Sequence, residues 1–168
     1  MSSFNSEKTI EESIQSILNQ DYKNIEFLIV DDGSTDNTLR IMKKLKDKDQ
    51  RIKIIENTRN IGLTKSLNQL LRISNGRYIA RQDSDDKSFP FRLTRQINFL
   101  KKTNYDIVTS RAVIKNKEVK IPKYSHLFPN KIVMKYKNPF IHGTLFLDKN
   151  IFEEVGGDRK STRLNSSH

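Results

Sequence analysis

The sequence predicts an α/β fold built on a mostly parallel sheet flanked by helices. Apolar runs of strand length alternate with amphipathic stretches of ten or more residues, the rhythm of repeated β-α-β units. Acid-rich turns follow two of the apolar runs, where an open α/β sheet presents its ligand-binding groups. The chain has 168 residues, enough for one sizeable core and short for two.

Ser6–Gln20 is expected to be helical, because Ile10, Ile14, Ile17 and Leu18 form one apolar stripe. Asn5 or Ser6 is the expected cap, and Glu7 suits the positive end of the helix dipole. Ile25–Val30 reads as a buried strand ending in Asp31-Asp32-Gly33. Thr35 or Asp36 then caps a second helix carrying Leu39, Met42 and Leu45. Arg51–Glu56 is the next strand and Asn60-Ile61-Gly62 a loop. Thr64–Ser74 is a helix with Leu67, Leu70 and Leu71 inward, stopped by Asn75-Gly76. Arg77–Arg81 is a strand running into Gln82-Asp83-Ser84-Asp85-Asp86. Phe91–Lys102 is a helix with Pro90 near its start. Ile107–Ile114 and Val119–Ile121 read as a hairpin around Asn116-Lys117, and Pro122–Asn138 as irregular chain. Gly143–Leu147 reads as a strand and Asn150–Val155 as a short helix closed by Gly156-Gly157. Met1–Asn5 looks like the loop after a strand that lies upstream of Met1 or is reduced to Met1–Ser3.

Composition removes several function classes. There is no Cys, so disulfides, thiolate metal sites and a Cys nucleophile are out. No apolar stretch approaches the ~20 residues of a membrane helix, and no secretory pattern opens the chain. A cytoplasmic location is therefore expected. The formal net charge is +11. Part of it sits in residues 158–168, DRKSTRLNSSH, which resemble the in-frame translation of a sequencing adapter at every position and read as a non-native tail. That tail carries Arg159, Lys160 and Arg163 against Asp158, so residues 1–157 keep +9. Lys43, Lys44, Lys46 and Lys48 alternate with Asp47 and Asp49, the pattern of a solvated helix end.

The chemistry lies in the two acidic turns. Thr35 and Asp36 are well placed as helix caps, but Asp31 and Asp32 come earlier, at the end of an apolar strand. Asp83, Asp85 and Asp86 put three carboxylates into four residues, which repel one another unless a cation or donors offset them. Carboxylate oxygens are ligands for hard divalent cations. A D-x-D at a strand end thus points to a cation that carries a phosphorylated substrate.

Several stretches together resemble the family 2 glycosyltransferases of the GT-A fold. They are SSFNSEKTIEESIQSILNQDYKNIEFLIVDDGSTDNT, NIGLTKSLNQLLRISNGRYIARQDSDD, FPFRLTRQINFL, and NPFIHGTLF followed by FEEVGG. The resemblance covers residues 1–157 and implies the nucleotide-sugar-binding half of a catalytic domain. It implies inverting transfer from a nucleotide-diphospho-sugar, a UDP-sugar by expectation, to a saccharide or lipid-linked acceptor in surface polysaccharide synthesis. It places Phe4 near the nucleotide base and Asp32 on the uracil ring, with Asp31, Gly33 and Ser34 in the same binding turn. Asp83 is assigned to the ribose or a metal-bound water, and Asp85 to Mn²⁺ or Mg²⁺. Lys65 falls where the family often places a basic or polar residue on the nucleotide side, and His142 on the acceptor side. Such a metal bridges the diphosphate and neutralises the leaving group. Inversion needs a carboxylate base. The family places it downstream of the position matched by Gly156-Gly157, and neither Asp86 nor Glu153 matches it. The chain alone is accordingly expected to be marginally folded and inactive.

Rival readings are weaker. A nucleotidyltransferase would show a Gly-rich basic loop where SSFNSEKT stands, and a Rossmann dehydrogenase would show G-x-G-x-x-G. A phosphate-accepting receiver domain would not need DSDD or NPFIHGT. A nucleic-acid binder would concentrate its basic residues around an aromatic motif, and here they are dispersed, so no nucleic-acid partner is expected. The basic excess is instead expected to favour peripheral contact with an anionic membrane.

Overall fold

A computed structural model of the chain describes residues 1–114, 119–121 and 141–154. Strand β1 (Ser2–Ser3) leads to helix α1 (Ile10–Leu18), β2 (Phe27–Asp31), α2 (Thr38–Lys46), β3 (Ile52–Glu56), α3 (Leu63–Ile73) and β4 (Tyr78–Ala80). Then come α4 (Arg92–Lys102), β5 (Ile107–Val108), β6 (Ala112–Ile114), β7 (Val119–Ile121), a 3₁₀ turn (His142–Thr144), β8 (Phe146–Asp148) and α5 (Lys149–Glu154).

β1, β2 and β3 form a parallel sheet with β2 in the middle, Ser3 opposite Asp31 and Asp31 opposite Glu56. Both faces of β2 are buried. Ile29 joins Ile10, Ile14, Ile17, Met42 and Leu45 in the core under α1 and α2, while Leu28 and Val30 pack on Leu70 of α3. This is the period-two division of a strand covered on both sides. Each fully buried Ile or Leu contributes roughly 1.5–3 kcal/mol of transfer free energy.

β4, β8 and β5 form a second sheet that is antiparallel throughout, with Ile79 opposite Leu147 and Val108 opposite Phe146. Leu93, Ile97 and Leu100 of α4 pack on it through Phe146. An apolar cavity of about 780 Å³ separates β2 from β4, and its walls include Met1, Leu28, Leu70, Tyr78, Leu93 and Phe146.

Four local expectations are corrected. Met1–Asn5 is not only a loop after an upstream strand: Ser2 and Ser3 are themselves β1, paired with Val30 and Asp31. The first helix starts at Ile10 with Thr9 at its N-cap, because residues 6–9 form a turn in which Ser6 O accepts the Thr9 and Ile10 N–H groups. The 143–147 strand is displaced: Gly143 lies in the 3₁₀ turn, and pairing begins at Phe146. In the 107–121 region, β6 pairs with β7 as a hairpin, but β5 pairs with β8. The expected turn at Asn116-Lys117, the irregular 122–138 segment, the glycine pair at 156–157 and the 158–168 tail lie outside the described residues.

Candidate functional site

Three loops meet at the carboxyl ends of β1, β2 and β4. The first is residues 4–9. Asn5 adopts the left-handed conformation (φ 48°), from which its side-chain oxygen accepts the Thr35 N–H (2.9 Å) while its N–H donates to Ser34 Oγ (3.0 Å). Glu7 reaches the same neighbour: its carboxylate accepts the Asn37 N–H, which keeps its pKa below the ordinary value. The residues expected to cap α1 therefore serve the entrance of α2 instead. The N-cap of α2 is Asn37 rather than the expected Thr35 or Asp36, but the Asp36 carboxylate accepts the Thr38 N–H at 2.9 Å.

The second loop follows β2. Asp31 and Asp32 are both buried. Asp32 Oδ1 accepts from Asn57 Nδ2 (2.8 Å) and Ile61 N (3.0 Å), and Oδ2 from Gly62 N (2.9 Å). Burial raises the Asp32 pKa, but the donors Ile61, Asn57, Ser66 and Gly62 outweigh it and leave the carboxyl below its ordinary value. Asp32 thereby fastens the loop ahead of α3. Asp31 Oδ2 accepts the Ser34 N–H (3.1 Å), whereas its buried Oδ1 has no partner. Gly33 takes φ 76° and lies so close to Arg59 that a Cβ would stand 2.6 Å from its carbonyl carbon.

The third loop is Asp83–Asp86. Ser6 Oγ lies 3.0 Å from Ser84 Oγ, and Ser13 Oγ of α1 donates to Asp83 O at 3.0 Å, so the acidic loop rests on the start of α1. Arg81 Nε donates to Asp83 Oδ1 (3.0 Å). Asp85 is exposed, and Asn5, Ser6, Lys8, Asp36, Ser84 and Asp85 line a shallow open pocket. Gly143 packs beneath the loop; a Cβ there would lie 2.6 Å from Asp86 Oδ2 and 2.9 Å from Asp83 Oδ2. Burial, then the charges of Asp83 and Asp85, raise the Asp86 pKa. The repulsion expected from the sequence is therefore present. Among the described residues no three ligating side chains close around one point.

Of the residues singled out from sequence, Phe4, Asp31, Asp32, Gly33, Ser34, Asp83 and Asp85 gather at these strand ends. Lys65 is exposed in the first turn of α3, and His142 is exposed beside Gly143. Sequence reasoning missed the supports: Asn57, Gly62, Gln82, Arg92 and Gly143. All but Asn57 lay inside quoted motifs without an assigned role.

Residues 1–159 match the pattern of glycosyl transferase family 2. The chain belongs to that family. Among family 2 relatives, EpsE of Bacillus subtilis, a protein named as a glycosyltransferase, is 42% identical over 97% of this chain and 60% of its own length. The Escherichia coli UDP-Glc:alpha-D-GlcNAc-diphosphoundecaprenol beta-1,3-glucosyltransferase WfaP is 42% identical over 60% of this chain and 39% of its own. The GT-A fold is shared with the mannosyltransferase PcManGT of Pyrobaculum calidifontis, solved with GDP-Man and Mn²⁺ (TM-score 0.76, 22% identity, 94% of this chain and 46% of that one). It is shared equally with S. aureus TarS solved with UDP (TM-score 0.74, 24% identity, 92% of this chain and 47% of that one). The chain thus spans between 39% and 60% of the length of these proteins.

Proposed function

We propose that this chain forms the donor half of an inverting glycosyltransferase that takes a UDP-sugar together with Mn²⁺ or Mg²⁺. The carrying observation is the convergence of the 4–9, 31–36 and 83–86 loops at the strand ends, stitched by the Ser6–Ser84 contact. Asp85, with Asp83 beside it, would hold the cation, which supplies charge neutralisation at the diphosphate when bound. Phe4, 44% exposed, offers a face to the base. The unpartnered Asp31 Oδ1 and the clasped Asp32 mark the base-binding turn, with Gly33 and Ser34 shaping it. Lys65 is assigned to the nucleotide side and His142 to the acceptor side.

Acceptor attack requires a base, and neither Asp86 nor Glu153 matches the position of the family's base. The reading therefore assigns no base and expects nucleotide binding without turnover. The acceptor is a saccharide or a lipid-linked saccharide at the inner face of a membrane, consistent with the diphosphoundecaprenol in the name of WfaP. Titration of UDP with and without Mn²⁺ tests the reading. Metal-dependent binding supports it, while strong salt-sensitive binding of random oligonucleotide instead would refute it.

A further inference from the structure

Helix α4 has two unlike faces. Leu93, Gln96, Ile97 and Leu100 turn inward, with Arg92. Phe91, Arg95, Asn98, Phe99 and Lys102 form the opposite, exposed face. Four rings along this edge stay in water: Phe89 is 68% exposed, Phe91 55%, Phe99 45% and Tyr105 65%. Three of them have a neighbour on the surface. The Arg95 guanidinium lies 6.0 Å over the Phe91 ring, and Phe99 stacks on Tyr105 at 6.1 Å. Residues 87–105 contain no acidic residue; of their five basic ones Arg92 is buried and Lys87 pairs with Glu12, which leaves Arg95, Lys101 and Lys102 on the exposed face, with Asp86 and Asp106 just outside and Asp21 N–H bonded to Pro90 O.

We propose that this face of α4 docks on an anionic lipid surface. Aromatic rings interleaved with cations of one sign are what a headgroup layer accommodates: the rings sit at the acyl boundary and the ammonium and guanidinium groups meet lipid phosphate. The rings spread along a helix roughly 17 Å long rather than converging on one anchor, which fits a plane better than a protein pocket. Among the described residues no helix is long and apolar enough to cross a membrane. Docking has a consequence that rests on the donor-site reading. Asp86 is three residues from Phe89, so the acidic loop is held within about 10 Å of the lipid headgroups. A lipid-linked acceptor would present its diphosphate in that layer.

The test is co-sedimentation of the 168-residue chain with phosphatidylcholine vesicles, alone or with about one-third phosphatidylglycerol. The parent should partition only onto the anionic vesicles. Arg95→Gln/Lys101→Gln/Lys102→Gln should lower partitioning roughly 30-fold or more, and Phe89→Ser/Phe91→Ser/Phe99→Ser roughly tenfold with no change in charge. Lys44→Gln/Lys46→Gln/Lys48→Gln removes the same charge from the α2 end and should change it less than about threefold. Far-UV circular dichroism confirms that each variant is folded, and Mn²⁺-dependent UDP binding should be the same in all four proteins. A parent that ignores anionic vesicles overturns the proposal. So does equal loss in the α2 variant, or a parent dimer that the α4 substitutions dissolve without any effect on vesicles. Absence of UDP binding in the parent would count against the donor-site reading and leave the vesicle result standing by itself.

Discussion

Arg92 Nη1 donates to Gln82 Oε1 at 2.9 Å, and both side chains are buried beneath the acidic loop. The other guanidinium donors reach Ser88 Oγ, Arg81 O and Gln96 Oε1. Gln82 Nε2 in turn donates to Asp86 O (2.7 Å), and Gln96 Nε2 to Thr144 O (2.8 Å). One cation thus ties the Asp83–Asp86 loop, the start of α4 and the turn holding Gly143 into one body. Burial draws the Arg92 pKa down to about 10, against the favourable charges of Asp86 and Asp83.

Arg92→Met leaves several buried acceptors without a donor. It should lower stability by about 3 kcal/mol, read as a reduced urea midpoint. Arg92→Lys keeps one charge-assisted bond and should recover part of the loss. Equal midpoints for parent and Arg92→Met would refute the network's role.

Gly143→Ala places a methyl group against the ends of Asp83 and Asp86, which are side chains able to turn away. Stability should change by less than about 1 kcal/mol, while the Mn²⁺-dependent affinity for UDP falls several-fold. Unchanged affinity in a titration would show that the carboxylate positions at Gly143 do not matter to binding.

At Gly33 the obstacle is backbone. An alanine there carries φ 76° and meets Arg59 within 3 Å, so Gly33→Ala should lose about 2 kcal/mol or more. Gly62 also has positive φ (91°) but open space around it, and Gly62→Ala should cost only about 1 kcal/mol. Thermal midpoints of the two variants should keep this order.

Stability should fall with acid through two windows. The buried Met1 amine has its pKa lowered from 8.0 to about 5, chiefly by desolvation. The unfolded chain then binds more protons between these values, so stability rises with pH from about 5 to 8, by an amount on the order of a few kcal/mol. Asp32 has a lowered pKa, so its contribution is present above the unfolded value of ~3.9 and lost as pH falls through its folded value. Denaturation midpoints between pH 3 and 8 should show both limbs, roughly speaking. N-terminal acetylation should flatten the first limb and Asp32→Asn the second.

The framework was legible because its signals are local. The spacing of Ile10, Ile14 and Ile17 gave α1, and the apolar run before Asp31 gave β2. The acidic turns announced the site by type and place. What stayed hidden depends on partners distant in sequence. Asp32 meets Asn57 and Gly62 across 25 and 30 residues, and no periodicity reports that. Gly143 owes its place to carboxylates in another loop. Arg92 reads as a solvated residue in an amphipathic helix, and only its four acceptors make its burial tolerable. Glu7 suited a helix start, but the adjacent turn carries it to Asn37 instead.

A cation-assisted nucleotide site at the Asp83–Asp86 loop is open to calorimetric titration of UDP into the chain, with Mn²⁺ and with chelator, repeated on Asp85→Asn. Binding should need Mn²⁺ and weaken at least about tenfold in Asp85→Asn with an unchanged thermal midpoint. UDP binding that is indifferent to both the metal and Asp85, or its absence from a folded chain supplied with Mn²⁺, would contradict it.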